Sequence, residues 1–438
     1  MPWTRGLLFL SLLWLISAAG CDSVKEDLVR ALDPSAKPIP IRVGVLHSQT
    51  GTMALAETSL RHTEILAIEE INAAGGVLGR PIEPVVKDGK SRSMIFKKRA
   101  KAMIEEFGVE AVFGCWTSAD RKAVLPIVEQ KNALLFYPLQ YEGNECSPNV
   151  VYTGSTPNQQ ILPALDWFLS EAGGSKKRIA LIGSDYVFPR TANYIVRKYL
   201  ESKSIAVVEE IYVPLGHSEF ESAVASILKS DADLILNTIN GDSNLYFFRT
   251  LHELSGNAER LPVVSTSVGE YELRSIAPEA VAGHYSAWSY FQALDSLANR
   301  KFVQAFQADY GDDRVLDDPM EAAYTAVYLW KAAVEKAGST QTDAVRKAIQ
   351  SGLEFDAPGG RVRIDPRNQH LYKRFRLGRT RLDRKFDVVY ESPEWIAPDP
   401  YPAFAFPEWS CDWTQGGMRK GPPVIIPMGF GDANARTK

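Results

Sequence analysis

From residue 41 onward, apolar and polar positions alternate between two periods. IRVGVLH (41–47) is a short apolar run and predicts a strand. TSLRHTEILAIEEINAAGG (58–76) predicts a helix, with Leu60, Ile68 and Ile71 facing inward and Gly75-Gly76 as its stop. PIEPVVKD then reads as a strand, SMIFKKRAKAMIEEFG as a helix and VEAVFG as a strand. The helix beginning at Ser118 leads to ALLFYP, another strand. A second series follows. Helices at 158–172, 189–203, 218–229 and 243–254 precede the strands RIALIGSD, AVVEEIYVP, ADLILNTI and LPVVSTSV, and AGHYSAWSYF (282–291) reads as one more strand. Helices at 299–310, 318–337 and 341–351 come next. Short strands close the pattern: RVRIDP, LYKRFRLGRTRL and KFDVVYES. Alternating strands and helices predict an α/β fold with parallel sheets covered on both faces, here as two doubly wound lobes. The tail from about residue 393 is rich in Pro, Gly and Trp and predicts a surface strap.

With 438 residues, one ordinary core is too small, so two domains are expected. A net charge of -4 excludes the basic footprint of a nucleic-acid binder. The start of the chain changes the compartment. Arg5 precedes an apolar run at 6–16, and the small residues Ala18-Ala19-Gly20 stand directly before Cys21. That pattern predicts a secretory signal over 1–20, with Cys21 as the lipidated first residue of an exported protein. Residues 21–40 then form a tether to the membrane. Cys115 follows an apolar strand and reads as a buried small hydrophobe. Cys146 and Cys411 could pair, which spacing alone does not establish.

Ligands of open α/β sheets collect at the carboxyl ends of the strands. Here those ends read HSQTG, GCWTSAD, FYPLQYEG, GSDYVFP, NTINGDSN and STSVGEY. They are rich in hydroxyls, aromatics and amides and poor in Arg and Lys, which suits a small neutral polar ligand. In GCWTSAD, Ser118 or Thr117 caps the next helix, whose free N–H groups point toward a ligand oxygen. Trp116 forms a flat wall and Tyr137 stands one strand away. Enzyme signals are weak: the chain has no G-x-S-x-G, no P-loop, no G-x-G-x-x-G and no C-x-x-C or H-E-x-x-H. No catalytic activity and no cofactor are expected. His47 has no partner nucleophile in the sequence and reads as a polar core or rim residue.

The runs VFGCWTS, LLFYPLQYEG, SPNVVYTG, GSDYVFPRTAN, NTINGDSN, DPMEAAYTAVYLWKAAVEKAGST and PDPYP resemble the amide and urea branch of the branched-chain amino-acid-binding family, the substrate-binding proteins of bacterial ABC transporters. The resemblance implies the type I periplasmic-binding-protein fold, with two lobes joined by a three-strand hinge. It assigns 41–154 and 285–340 to the first lobe and 155–284 and 341–392 to the second. Residues 393–438 form the strap, and hinge passes fall near 153–157, 283–287 and 338–345. It implies a urea or short-chain amide ligand, with ABC permease and ATPase subunits as partners. Its pocket positions fall on Trp116, Thr117, Ser118, Tyr137, Gln140 and Tyr186, with Asp242 and Glu270 as further contacts. A sister group of amide-sensing regulators shares the scaffold but lacks the exported, lipidated start.

Overall fold

The computed structural model describes residues 38–422, together with 424 and 426. The predicted signal 1–20, the lipidation residue Cys21 and most of the tether lie outside the described residues. Among the described residues, no helix is long and apolar enough to cross a membrane.

The first sheet takes strands β1 (Ile41–His47), β2 (Ile82–Asp88), β3 (Ala111–Gly114), β4 (Leu134–Tyr137) and β5 (Val150–Tyr152) in the order β2-β1-β3-β4-β5. Every pair is parallel. β3, β4 and β5 are buried at every position, as strands covered on both faces must be. The second sheet takes β6 (Arg178–Ser184), β7 (Ala206–Val213), β8 (Leu234–Thr238), β9 (Val263–Ser265) and β10 (Tyr285–Trp288) as its parallel part. A small antiparallel sheet of β11 (Glu354–Ala357), β12 (Gly360–Ile364) and β13 (Leu371–Tyr372) comes next. β14 (Arg376–Thr380) and β15 (Phe386–Glu391) then add to the second sheet antiparallel, giving β15-β14-β10-β9-β8-β6-β7.

The lobe boundaries differ from the expected ones in two places. β10 belongs to the second sheet, although the family resemblance put 285–340 in the first lobe. The helix Thr342–Ile349 and strands β11–β13 pack in the first core, through Val345, Ile349, Val362 and Leu371. The reason lies at Gly338. It takes the left-handed conformation, φ 60°, that ends the helix Asp318–Ala337. What reads as a hinge is therefore a turn between two helices that pack on each other. The chain crosses between lobes at 153–156, inside the first expected pass, and at 289–296 and 373–375, away from the other two. Lys373, 3% exposed, ties the passes together: its Nζ donates to Thr153 O at 3.1 Å and lies 4.0 Å from Asp318. Asp318 in turn accepts from the N–H groups of Ser289 and Tyr290.

The strap lies across the helices Pro157–Leu169 and Val187–Ser202, where Tyr401, Ala405 and Phe406 bury against Leu162 and Ile195. It includes a two-stranded ribbon, β16 (Ser410–Asp412) and β17 (Gly417–Arg419). Cys146 and Cys411 form a disulfide, which resolves the pairing that the spacing left open; Cys115 is free and buried.

Candidate ligand-binding site

The turn after β3 is built to turn sharply and to aim Trp116 inward. Gly114 has φ 139°, and a Cβ there would meet Leu46 O at 2.1 Å. Cys115 follows with φ 66°, a left-handed conformation that few non-glycine residues adopt. Thr117 is the N-cap of the helix Ser118–Gln130: its Oγ1 accepts from Asp120 N at 3.1 Å and donates to Asp120 Oδ2 at 2.6 Å. Burial, with help from the Glu57 charge, pushes the Asp120 carboxyl up to about 6.

Behind this turn sits a buried guanidinium. Arg121 is fully buried; its Nε donates to Glu145 at 2.9 Å, its Nη2 to Glu142 at 3.1 Å and its Nη1 to Ser118 Oγ at 3.1 Å. Its plane lies against the rings of Tyr137 and Tyr141, 4.7 and 4.4 Å from their centroids. Ser118 Oγ donates to Glu142 Oε2 at 2.5 Å. The hydroxyl hydrogen is therefore held away from the cleft. The Tyr137 hydroxyl donates to Trp116 O at 2.7 Å, so its hydrogen is also occupied. Gln140 reaches across to the second lobe, where its Nε2 donates to Thr266 O and Ser267 Oγ, while its buried Oε1 has no partner.

These side chains meet in a small, tightly packed crevice between the lobes, lined by Trp116, Ser118, Tyr137, Leu139, Gln140, Tyr186, Phe188 and Asn240. Five of the residues singled out in the sequence are brought together here: Trp116, Ser118, Tyr137, Gln140 and Tyr186. Three are not. The Thr117 hydroxyl is held in its cap. Asp242 lines a neighbouring crevice with Thr52, Met53 and Tyr271. Glu270 is buried toward the hinge, where its Oε1 accepts from Gln292 N at 2.7 Å. Leu139, Phe188 and Asn240 stand in turns whose position marked them, but no side-chain chemistry distinguished them there.

Once internal hydrogen bonds are counted, the cavity presents both acceptors and donors. Ser118 Oγ and Tyr137 Oη keep a free lone pair, and Gln140 Oε1 is wholly free. The donors that remain include the Tyr186 hydroxyl, the Trp116 indole N–H and the N–H groups of Ser118 and Ala119, which have no partner within their own helix. Among the described residues, no cluster of His, Cys, Asp or Glu could hold a metal ion. His47 is fully buried. Burial works against its charge, but Glu64 at 2.9 Å and Glu57 overcome that and hold the imidazolium to about 9, unsuited to a general base.

Burial is also what pushes the Glu270 carboxyl up to about 8. A carboxyl with a raised folded-state pKa contributes fully below its unfolded value, and that contribution falls as pH rises through the folded value. Glu270→Gln is therefore expected to gain on the native chain by about 1.4 kcal/mol per pH unit from pH 4.5 toward 8, and no further above that. Guanidinium unfolding across that range checks the slope; a gain that does not change with pH would contradict it.

Residues 41–406 match the family described as periplasmic binding protein domain. A Leu/Ile/Val-binding protein homolog of Brucella melitensis is 25% identical over 338 residues, covering 76% of this chain and 85% of that protein. Among solved structures, a solute-binding protein of an R. palustris ABC transporter, in complex with 4-hydroxybenzoate, has a TM-score of 0.72 at 24% identity, over 82% of this chain and 98% of that one. The branched-chain amino acid transporter substrate-binding protein LivJ of Streptococcus pneumoniae, in complex with isoleucine, has a TM-score of 0.72 at 19% identity, covering 82% and 100%. A limonene hydroxylase of Geobacillus stearothermophilus is 35% identical over only 119 residues; the chain spans 22% of its length, and that match carries no activity across. The chain belongs to the periplasmic binding protein domain family and has its type I fold, two parallel-sheet lobes around a cleft.

Proposed function

We propose that this chain is the exported, Cys21-anchored binding component of an ABC importer, and that it captures urea between its lobes for the permease and ATPase subunits. The observation that carries the reading is the lining between the lobes: a small crevice that presents free acceptors and free donors side by side, with no Lys or Arg among its described residues. Urea has four N–H hydrogens, one carbonyl oxygen and no net charge. Its N–H groups match Ser118 Oγ, Tyr137 Oη and Gln140 Oε1, and its oxygen matches the N–H groups at the start of the helix Ser118–Gln130 or the Tyr186 hydroxyl. The Ser118 hydroxyl acts as an acceptor in this scheme, not as the donor that a serine at a helix start first suggests.

The ligands named for the structural relatives, isoleucine and 4-hydroxybenzoate, carry a carboxylate. Here, among the described residues, the lining holds no Lys or Arg that would pair a carboxylate, and bulky Trp116 and Tyr137 shorten the space. Both features work against such ligands. A second reading, a short-chain amide such as acetamide or formamide, has one observation in its favour: Leu139 and Phe188 give the wall an apolar stretch where a methyl group could rest. Competition between urea and acetamide on one preparation separates the two. Trp116→Ala removes the flat wall and is expected to weaken urea binding by about tenfold or more, 1.4 kcal/mol per decade; unchanged affinity in a calorimetric titration would overturn the site.

Binding between lobes implies closure about the hinge. The lipid anchor has its own test: Cys21→Ser should abolish labelling of the exported chain by a fatty-acid probe and leave ligand affinity unchanged.

A further inference from the structure

The sequence marked residues 393–438 as a surface strap without a role. In the structure the strap holds both lobes. Its grip on the first lobe is covalent, through Cys411 to Cys146 on the loop between β4 and β5. The same loop receives the strap backbone, with Asn144 N donating to Pro400 O at 2.8 Å. Gly143 beside it has φ 73°, and a Cβ there would meet Pro400 O at 2.6 Å, so the loop is shaped for this contact. The grip on the second lobe is by packing. Phe406 and Tyr401 bury against Leu162 and Ile195, and Asn158 bonds the strap backbone at Ala397 and Asp399.

Its position along the crevice matters. Three cavities lie in a row between the lobes. The ligand cavity is in the middle, since Asn240 adjoins Gly241 of one neighbour and Tyr186 and Phe188 flank Val187 of the other. The far neighbour, with Thr52 and Leu55 facing Asp242 and Leu245, has no strap residue in its lining among the described residues. The near neighbour, with Lys122 and Glu142 on one side and Val187 and Thr191 on the other, takes Tyr401, Phe406 and Trp409 of the strap into its wall.

We propose that the disulfide-pinned strap is a cross-lobe latch: it keeps the crevice shut on the flank of Glu142 and Val187, so that the lobes part, and ligand passes, on the flank of Thr52 and Asp242. This rests on the hinge closure proposed above. An ordinary surface strap would staple one lobe only. Here one end is bonded to the first lobe and the body is buried on the second, so the lobes cannot separate on that side unless the apolar contact peels away.

The test uses the full-length chain, with spin labels carried on a non-cysteine, bioorthogonal residue at the exposed positions Glu129 and Glu201. These sit on the helices Ser118–Gln130 and Val187–Ser202, one from each lobe. Distances between them are measured by electron–electron resonance with and without urea. The native chain is expected to show one narrow distance under both conditions. The double variant Cys146→Ser/Cys411→Ser is expected to show a second, longer population without urea. Phe406→Ala, which keeps the disulfide and releases the second lobe, is expected to do the same and so covers a double variant that folds poorly. Urea dissociation from both should quicken by about tenfold. The proposal is overturned if the native chain already shows the longer population, or if the distances in both variants match the native ones. If urea changes nothing in any of the proteins, the ligand assignment fails, and the urea-free distances still decide the latch.

Discussion

Arg121→Ala is expected to destabilise the protein by about 3–5 kcal/mol, the cost of breaking a buried ion pair from one side. Arg121 and Glu142 are almost wholly inaccessible, and Glu145 is 5% exposed. Removing the guanidinium leaves two carboxylates in the first lobe facing each other, with only the half-exposed Lys122 nearby. Burial alone would raise the Glu145 carboxyl, but Arg121 first and Lys122 second hold it below the usual range. A depressed carboxyl contributes stability that is fully present above its unfolded pKa and is lost as pH falls through the folded value. The deficit of Arg121→Ala should therefore be full above about pH 4.3 and shrink as the solution is made more acid. Adding Glu142→Gln and Glu145→Gln to the same variant should recover much of the loss. Guanidinium unfolding of the three proteins reads this directly. An Arg121→Ala variant as stable as the native chain would mean that the guanidinium does not hold the turn together.

Acetone should bind at least about 10⁴-fold more weakly than urea, the discrimination reached when a site built for N–H donors meets a ligand without them. Acetone keeps the carbonyl and the compact shape, so the comparison isolates the hydrogens. Its methyl groups would leave Ser118 Oγ, Tyr137 Oη and Gln140 Oε1 buried without partners, each at a cost of about 1–3 kcal/mol. Acetamide, with one NH₂, should fall between the two. Ser118→Ala should narrow the gap between urea and acetone, because it removes one acceptor from the wall. Comparable affinities for urea and acetone would show that shape, not hydrogen bonding, selects the ligand.

The parallel sheets were legible because most strands are runs rich in apolar residues between polar turns, as in VEAVFG and RIALIGSD. The cavity was legible at the level of turns, since the position after a strand end is a property of the fold. That singled out Trp116, Ser118, Tyr137, Gln140 and Tyr186, which do face one another. The direction of the Ser118 hydroxyl was not legible, because its partner Glu142 lies 24 residues away. Thr117 and Glu270 carry suitable chemistry, but the Thr117 hydroxyl is engaged with Asp120, and Glu270, whose Oε1 accepts from Gln292 N, lies outside the lining. Asp242 stands one turn beyond the cavity. The third crossing was misplaced because the Gly338 turn ends one helix and starts another within a single core. The true crossing, around Lys373, carries no glycine or proline to announce it. The strap could be seen as a Pro- and Trp-rich tail, but its double attachment depends on Cys146, 265 residues away from Cys411.

The measurement closest to the central claim is a calorimetric titration of residues 22–438, without the lipidation cysteine, with urea and then, on the same preparation, with isoleucine and 4-hydroxybenzoate. The account predicts saturable heat from urea and none from the two carboxylates. Tight binding of isoleucine or 4-hydroxybenzoate, with urea silent, would contradict it.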